Sequence, residues 1–210
     1  METIECINTR RSIRKYKDKP VEWDKIVTVL NAGRMAPSAG NLQNWKFIVV
    51  REDDVRKKIA QACLEQSWME TAPVHIVVVA EPEKAKRYYG SRGEFLYSIQ
   101  NCAAAIENML LAAHDIGLGT CWIGAFNEDL IRRAVNLPEH VTPQAVITLG
   151  YADEKPIRPP KTRLEYVVWL EKWWGRGVSD ISRGYKSVRL QNAFKKVKKN
   201  LKRLGKRLVE

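Results

Sequence analysis

Three short stretches of the chain combine residue types that chemistry can use. Arg10-Arg11-Ser12-Ile13-Arg14 packs three guanidinium groups and a hydroxyl into five residues. Forked, charge-assisted guanidinium donors match the oxygens of a phosphate dianion, and Ser12 adds one more donor. The run from Ala36 to Val50, A-P-S-A-G-N-L-Q-N-W-K-F-I-V-V, is a polar turn leading into an apolar strand. Its loop formers Pro37, Ser38, Gly40, Asn41 and Asn44 offer hydrogen bonds at the end of that strand, which suits a flat heteroaromatic ligand with polar edges. Farther on, Gly124-Ala125 turns from a strand into a helix, where backbone N–H groups can donate to a ligand without side-chain bulk. Lys161 and Arg163, in the proline-rich segment 152–163, are two more cations that could face a phosphate. Each feature also has a plain reading, as a solvated basic surface or an ordinary helix-to-strand connection.

Other chemistries find no support. There is no Gly-rich phosphate loop, Ser-His-Asp order, paired-carboxylate motif or metal signature. Cys6, Cys63, Cys102 and Cys121 lie far apart, with no C-x-x-C and no His at ligand spacing, and read as reduced thiols of a cytoplasmic protein. The first residues lack the apolar core of an export signal, and no apolar run approaches the ~18 residues of a membrane-spanning helix. With 210 residues, 45% hydrophobic and 29% charged, the chain reads as one globular domain plus an appendage. Its net charge is +12, and residues 175–210 supply +10 of that through twelve Lys or Arg against Asp180 and Glu210. The basicity therefore belongs to the tail and says little about the main domain's substrate.

The elements that must position these groups follow from periodicity. A short helix is expected at 2–8, and another from Glu22 to Ala32 with Trp23, Ile26, Val27 and Leu30 on one face and Gly33 as its C-cap. Phe47–Val50 reads as a buried strand, and Val55–Cys63 as a helix capped by Asp53 and Asp54. A short segment follows around Gln66–Glu70. Val74–Ala80 is a continuous apolar strand covered on both faces, with His75 a core histidine. Glu94–Ile116 is the longest helix, apolar on most of its circumference; its alanines permit close helix approach, so an obligate dimer is expected. Thr120–Ile123 is a strand, Asn127 caps the next helix, and Gln144–Tyr151 is a strand preceded by a loop between Pro138 and Pro143.

Four pieces in this order resemble the FMN-dependent nitroreductase family: R-R-S-I-R at 10–14, P-S-A-G-N-L-Q-N-W at 37–45, G-L-G-T-C-W-I-G-A-F at 117–126 and K-T-R at 161–163. The resemblance spans about residues 1–170. It implies an α+β sandwich, a mixed, mainly antiparallel sheet flanked by helices, in an intertwined homodimer with FMN at the interface. By motif, Arg10, Ser12, Arg14, Lys161 and Arg163 would hold the phosphate and ribityl chain, with Arg11 beside them. Pro37, Ser38, Ala39 and Asn41 of the partner subunit would meet the isoalloxazine, with Gln43 nearby, and Gly124 or Ala125 would offer a backbone N–H to flavin N5. Asn44 departs from the family, which usually has proline there, and is expected to loosen the loop without removing a ligand group. The implied activity is hydride transfer from NAD(P)H through FMN to a small acceptor such as a nitroaromatic, quinone or enone, in ping-pong order. No side chain need act as acid or base, so no catalytic residue is named. Tyr88, Tyr89 and Phe126 could line the acceptor pocket, with packing as the competing reading.

This divides the chain into a flavin domain, 1–174, and a basic extension, 175–210. In the extension Leu190, Phe194, Val197, Leu201, Leu204 and Leu208 form a heptad-like stripe on a cationic helix, with Trp173 and Trp174 upstream. Docking on its own dimer ranks first, an anionic membrane surface second, and nucleic acid or a coiled-coil partner behind these. Competing functions are a specialised relative, a dehalogenase or flavin-consuming enzyme, and a low-turnover flavin-binding module tethered by the tail.

Overall fold

The computed structural model describes residues 1–175. The stripe expected from Leu190 to Leu208 lies outside the described residues. The chain divides into two units, Met1–Ile157 and one that begins at Arg158. The first unit runs α1 (Thr3–Thr9), α2 (Trp23–Arg34), β1 (Trp45–Val50), α3 (Asp53–Ala62), β2 (Val74–Ala80), α4 (Pro82–Arg92), α5 (Ser98–Asp115), β3 (Gly119–Ile123), α6 (Glu128–Val135) and β4 (Thr142–Gly150).

All seven residues of β2 are buried. A strand with no polar face needs protein on both sides, and the surrounding elements supply it. The sheet has the order β1-β2-β4-β3 with every pairing antiparallel, so β2 lies between β1 and β4. The even-numbered face of β2 (Val74, Ile76, Val78, Ala80) packs with Ile26 and Val29 of α2, Ile106 and Met109 of α5, and Ile147 and Leu149 of β4. The odd face, through Val77 and Val79, meets Ile59 and Ala60 of α3, Met69, Cys121, Ile131 of α6 and Val146. Each fully buried Val or Ile stabilises by about 1.5–3 kcal/mol, so this two-sided burial is the main store of stability.

Several expectations need correcting. β1 is an edge strand, not a buried one: Phe47–Val49 are only half-buried and Lys46 is exposed, because one side of β1 has no neighbouring strand among the described residues. Gly33 is no C-cap but lies inside α2, where an added Cβ would sit 2.7 Å from Met109 Cγ and Sδ. Its smallness lets α2 and α5 approach closely. Asp53 and Asp54 lie in the first turn of α3, with Glu52 in the cap position, and Asp53 pairs with Arg56 and Lys57 at 2.8 and 2.6 Å. The expected 94–116 helix is preceded by a π-helical turn, Gly93–Tyr97, and α5 begins at Ser98. That helix is buried along one stripe rather than all round, and Ile99 is 53% exposed. Pro143 falls inside β4, opposite Val79 where the register slips, a bulge that tolerates a missing N–H. The helix α4 has no counterpart in the expectations.

The four cysteines are free and buried. Burial pushes the Cys63 and Cys102 thiols up to about 12, which leaves them protonated and unreactive at neutral pH. Among the described residues no helix is long and apolar enough to cross a membrane.

His75 lies within β2 as a core histidine. Its Nε2 meets the Met69 carbonyl oxygen at 2.9 Å, while Nδ1 has no partner. Burial pushes its pKa from 6.5 down to about 4. Because the folded value lies below the free one, the stability conferred by neutral His75 is present above about pH 6.5 and lost as pH falls toward 4. Urea denaturation at pH 7 and pH 5 is expected to give a difference of about 2 kcal/mol that disappears in His75→Gln. A wild-type stability equal at both pH values would contradict this.

Candidate functional site

After α1 the chain runs extended beside β3. Ser12 forms a parallel bridge with Thr120, the Ile13 N–H donates to the Thr120 carbonyl at 2.9 Å, and Tyr16 bridges Ala152. Ile13 and Tyr16 are buried and anchor the segment. The Tyr16 hydroxyl meets the Ile13 carbonyl at 2.8 Å and the Thr148 hydroxyl at 2.7 Å, and burial pushes its pKa upward. With those two side chains turned inward, Ser12 sits against β3 through its bridge to Thr120, and the Ser12 hydroxyl and the charges of Arg14 and Arg10 favour the Cys121 thiolate. Burial still dominates and raises the Cys121 pKa. Arg10, Ser12 and Arg14 thus lie along one extended segment that the Ser12–Thr120 bridge holds to β3.

The Arg14 guanidinium lies 5.9 Å from the centre of the Trp68 ring, and the Arg14 and Lys15 N–H groups both donate to the Glu154 carboxylate. Among the described residues neither the Arg10 nor the Arg14 guanidinium has a carboxylate or hydrogen-bond partner. Guanidinium groups with free donors suit an anion, and the Glu154 carboxylate on the neighbouring N–H groups moderates the local positive potential. Arg11 differs, because it donates to the Asn8 and Arg10 carbonyls at 2.9 and 2.6 Å and so serves the C-terminal end of α1. A cleft of 460 Å³ opens between the end of α1 and the start of β3, lined by Arg10, Arg11, His114, Thr120, Glu154 and Lys155 among others, with Ser12 and Arg14 outside its lining. His114 is held below its ordinary pKa by burial and then by Arg10 and Arg11, which reports the same positive field.

The polar turn stands before β1. Gly40, Asn41 and Gln43 all have left-handed backbones, with φ of 56°, 55° and 48°. The Gln43 N–H donates to Ser38 Oγ at 3.0 Å, and Gln43 Nε2 donates to the Asn41 side-chain and backbone oxygens at 3.1 Å each. Pro37, Asn41 and Gln43 are exposed, and Ser38 and Ala39 half-buried. The Tyr89 hydroxyl would lie 2.5 Å from a Cβ on Gly40, so Tyr89 stands against this turn. Tyr88 is exposed, and Phe126 packs into the core behind α6.

Asn44 does the reverse of what its sequence context suggests. It is fully buried, and its Nδ2 donates to Ser98 Oγ at 2.9 Å while its Oδ1 accepts from Asn101 Nδ2 at 2.8 Å. Asn101 Oδ1 in turn accepts the Ala39 N–H at 2.9 Å. The departure therefore ties the turn to α5 instead of loosening it. Ser98 and Asn101 were missed in the sequence, although both sit in phase with the apolar stripe Cys102, Ala105, Ile106 and Met109. A polar residue at a buried helical position must find a partner, and that was the available signal.

Gly124 and Ala125 follow β3 directly and are exposed, and their N–H groups have no partner among the described residues. The turn is fixed just beyond them: the Asn127 N–H donates to the Ala62 carbonyl at 2.8 Å, and Asn127 Oδ1 accepts from the Leu130 N–H at 3.0 Å. The basic segment and this turn share the β3 edge of the sheet. The polar turn at 37–43 joins β1, on the opposite edge, three inter-strand steps or about 14 Å away. Lys161 and Arg163 belong to the second unit, where Lys161 is exposed and Arg163 pairs with Glu165 and lies 5.9 Å from the Tyr166 ring centre.

The family model described as the Nitroreductase family matches residues 7–68 and 63–151. The chain belongs to the nitroreductase family. A protein of Methanothermobacter thermautotrophicus, provisionally named NADH dehydrogenase/NAD(P)H nitroreductase, is 40% identical over 182 residues, 82% of this chain and 88% of the relative. The FMN reductase [NAD(P)H] of Bacillus subtilis is 28% identical over 179 residues, 79% of this chain and 72% of the relative. Among solved structures, the NADPH:FMN oxidoreductase of Vibrio harveyi complexed with NAD+ superposes with a TM-score of 0.75 at 25% identity, over 90% of this chain and 85% of that one. The order β1-β2-β4-β3 with flanking helices is thus the nitroreductase fold in this chain.

The Asn127 cap fixes where the nitroreductase turn at Gly124-Ala125 ends. Asn127→Ala is expected to lower unfolding stability by about 1 kcal/mol. Thermal denaturation measures it, and an unchanged Tm would contradict the role.

Proposed function

We propose that this chain is an NAD(P)H-dependent FMN oxidoreductase that works as a cytoplasmic homodimer, with residues 1–174 as its flavin domain and 175–210 as a basic extension. Its acceptor is a small organic molecule such as a nitroaromatic, quinone or enone. Two relatives named as FMN reductases or oxidoreductases support the cofactor, and their names specify NAD(P)H or NADPH as donor. The observation that carries the site is that the Arg10 and Arg14 guanidinium groups, without ion-pair partners among the described residues, lie on the segment that Ser12 bridges to β3, while the unpartnered N–H groups of Gly124 and Ala125 follow the end of the same strand. These groups fit FMN: cations with free donors for a phosphate at one end, and neutral backbone donors for a ring edge farther along the same strand.

Arg10, Ser12 and Arg14 would bind the phosphate, with Lys161 and Arg163 completing the set and Arg11 shaping it through the end of α1. The Gly124 or Ala125 N–H would orient the ring at N5. Pro37, Ser38, Ala39 and Asn41 of the partner subunit, with Gln43, would meet the ring's polar edge. The placement of the polar turn on the far edge of the sheet supports that division of labour, because one chain holds its two halves about 14 Å apart. Exposed Ile4, Ile7, Met35, Phe95 and Ile99 supply apolar surface for a second copy. Bound FMN supplies acceptance of hydride from the nicotinamide and its return to the acceptor. The residues around it exclude water, fix its orientation and stabilise charge, and donor and acceptor would occupy the same place in turn.

Arg10→Ala and Arg14→Ala are each expected to weaken FMN binding roughly 10- to 100-fold, since a charge-assisted hydrogen bond contributes about 1.5–3 kcal/mol. Fluorescence titration of apo-protein reads this, and an unchanged Kd in both variants would remove the basic segment from the site. For the reaction, anaerobic stopped-flow mixing of FMN-loaded protein with NADH or NADPH should bleach the flavin fully before any acceptor is added, and a quinone should then restore its colour. Flavin that stays oxidised would favour a binding module, and bleaching that requires the acceptor to be present would exclude the ping-pong order.

A further inference from the structure

The turn at Ser38–Gln43 keeps a costly shape, and its restraint comes from a relay inside the core. We propose that Asn44, Asn101 and Ser98 are positioning residues that raise the reduction potential of the bound flavin by holding the hydrogen-bond donors of this turn in place. The inference rests on the FMN reading above.

The cost is visible in the backbone. Gln43 sits in the left-handed region at a cost of about 1–2 kcal/mol, and Asn41 sits there at a smaller cost because its short side chain tolerates it. Such conformations persist only where the surroundings over-determine them. Here the surroundings are a directional chain of bonds. The Ala39 N–H donates to Asn101 Oδ1, Asn101 Nδ2 to Asn44 Oδ1, Asn44 Nδ2 to Ser98 Oγ, and Ser98 Oγ–H to the Gly93 carbonyl, at 2.8–2.9 Å throughout. Exposure of the three side chains is 4%, 0% and 1% for Asn101, Asn44 and Ser98. An N–H starts the relay and a carbonyl ends it, so neither carboxamide can flip without leaving two buried groups unpaired. In a dry interior that penalty is large, and the relay therefore has one state.

The output is equally defined. Ser38 Oγ accepts from the Gln43 N–H, and Asn41 Oδ1 accepts from Gln43 Nε2. Their acceptor atoms are engaged within the turn, which leaves the Ser38 hydroxyl hydrogen and the Asn41 amide hydrogens for an acceptor outside it. Donors preorganised around a ring that gains negative charge stabilise its reduced form more than its oxidised form. A rigid turn therefore raises the potential, and a loose one lowers it. A purely structural relay would change unfolding alone.

Asn44→Pro tests this directly. It deletes the carboxamide's links to Ser98 and Asn101, and its longer bond to the Glu81 carbonyl at 3.4 Å, while keeping the backbone carbonyl that accepts the Glu81 N–H at 2.7 Å. Asn101→Asp is the second variant, which keeps the acceptor for the Ala39 N–H but removes the donor to Asn44. Midpoint potentials are read by equilibration with a redox dye, alongside Tm and the Kd for oxidised FMN. The expected result is a roughly tenfold fall in the ratio of reduced to oxidised FMN affinity, which is a potential about 30 mV lower for a two-electron couple. A potential unchanged from wild type overturns the proposal, whatever happens to Tm. If one variant does not fold, the other decides by the same criterion. Wild-type protein that takes up no FMN defeats the underlying reading and this inference together, whereas wild type that binds FMN and matches both variants in potential defeats this inference alone.

Discussion

The first unit is built around the demand of β2 for cover on both faces. A seven-residue strand with every side chain buried cannot face water anywhere, so α2 and α5 must lie on one side and α3 and α6 on the other. Once those layers are in place, each polar segment is set by where it leaves the sheet. The basic run is held to β3 by the Ser12–Thr120 bridge, and the Gly124-Ala125 turn is the immediate continuation of β3. The polar turn is the lead-in to β1. Hydrophobic burial thus decides the address of groups that contribute little to stability themselves.

Different interactions govern the two edges. At the β3 edge the Arg10 and Arg14 guanidinium groups are partly solvated and among the described residues form no ion pair, so their donors stay ready for an anion. At the β1 edge the polar groups are in the dry interior, where an unmet hydrogen bond costs about 1–3 kcal/mol and a closed relay admits a single arrangement. One edge supplies charge and the other supplies geometry. Neither edge in one chain forms the whole of the proposed site, which is the physical reason for reading the molecule as a homodimer.

Much of this was legible in the residues. Continuous apolar character identified β2, the Asn127 cap marked the start of α6, and four motifs in order identified the family. What the sequence hid was the identity of packing partners. Gly33 looks like a helix end because glycine often ends helices, yet here it yields space to Met109. Phe47–Val50 looks like a core strand because apolar runs do not reveal whether a strand has one neighbour or two. Asn44 looked like a weakness in a loop because its partners Ser98 and Asn101 lie more than fifty residues away. Period and composition report burial, and only the fold reports what meets what.

The central claim is that this scaffold carries a flavin mononucleotide that does the electron chemistry. The most direct measurement is the visible absorption spectrum of the protein as purified, followed by heat release and identification of the chromophore. The account predicts the two bands of an oxidised flavin and a released compound that is FMN, not riboflavin or FAD. A colourless protein that stays colourless after incubation with FMN would contradict it.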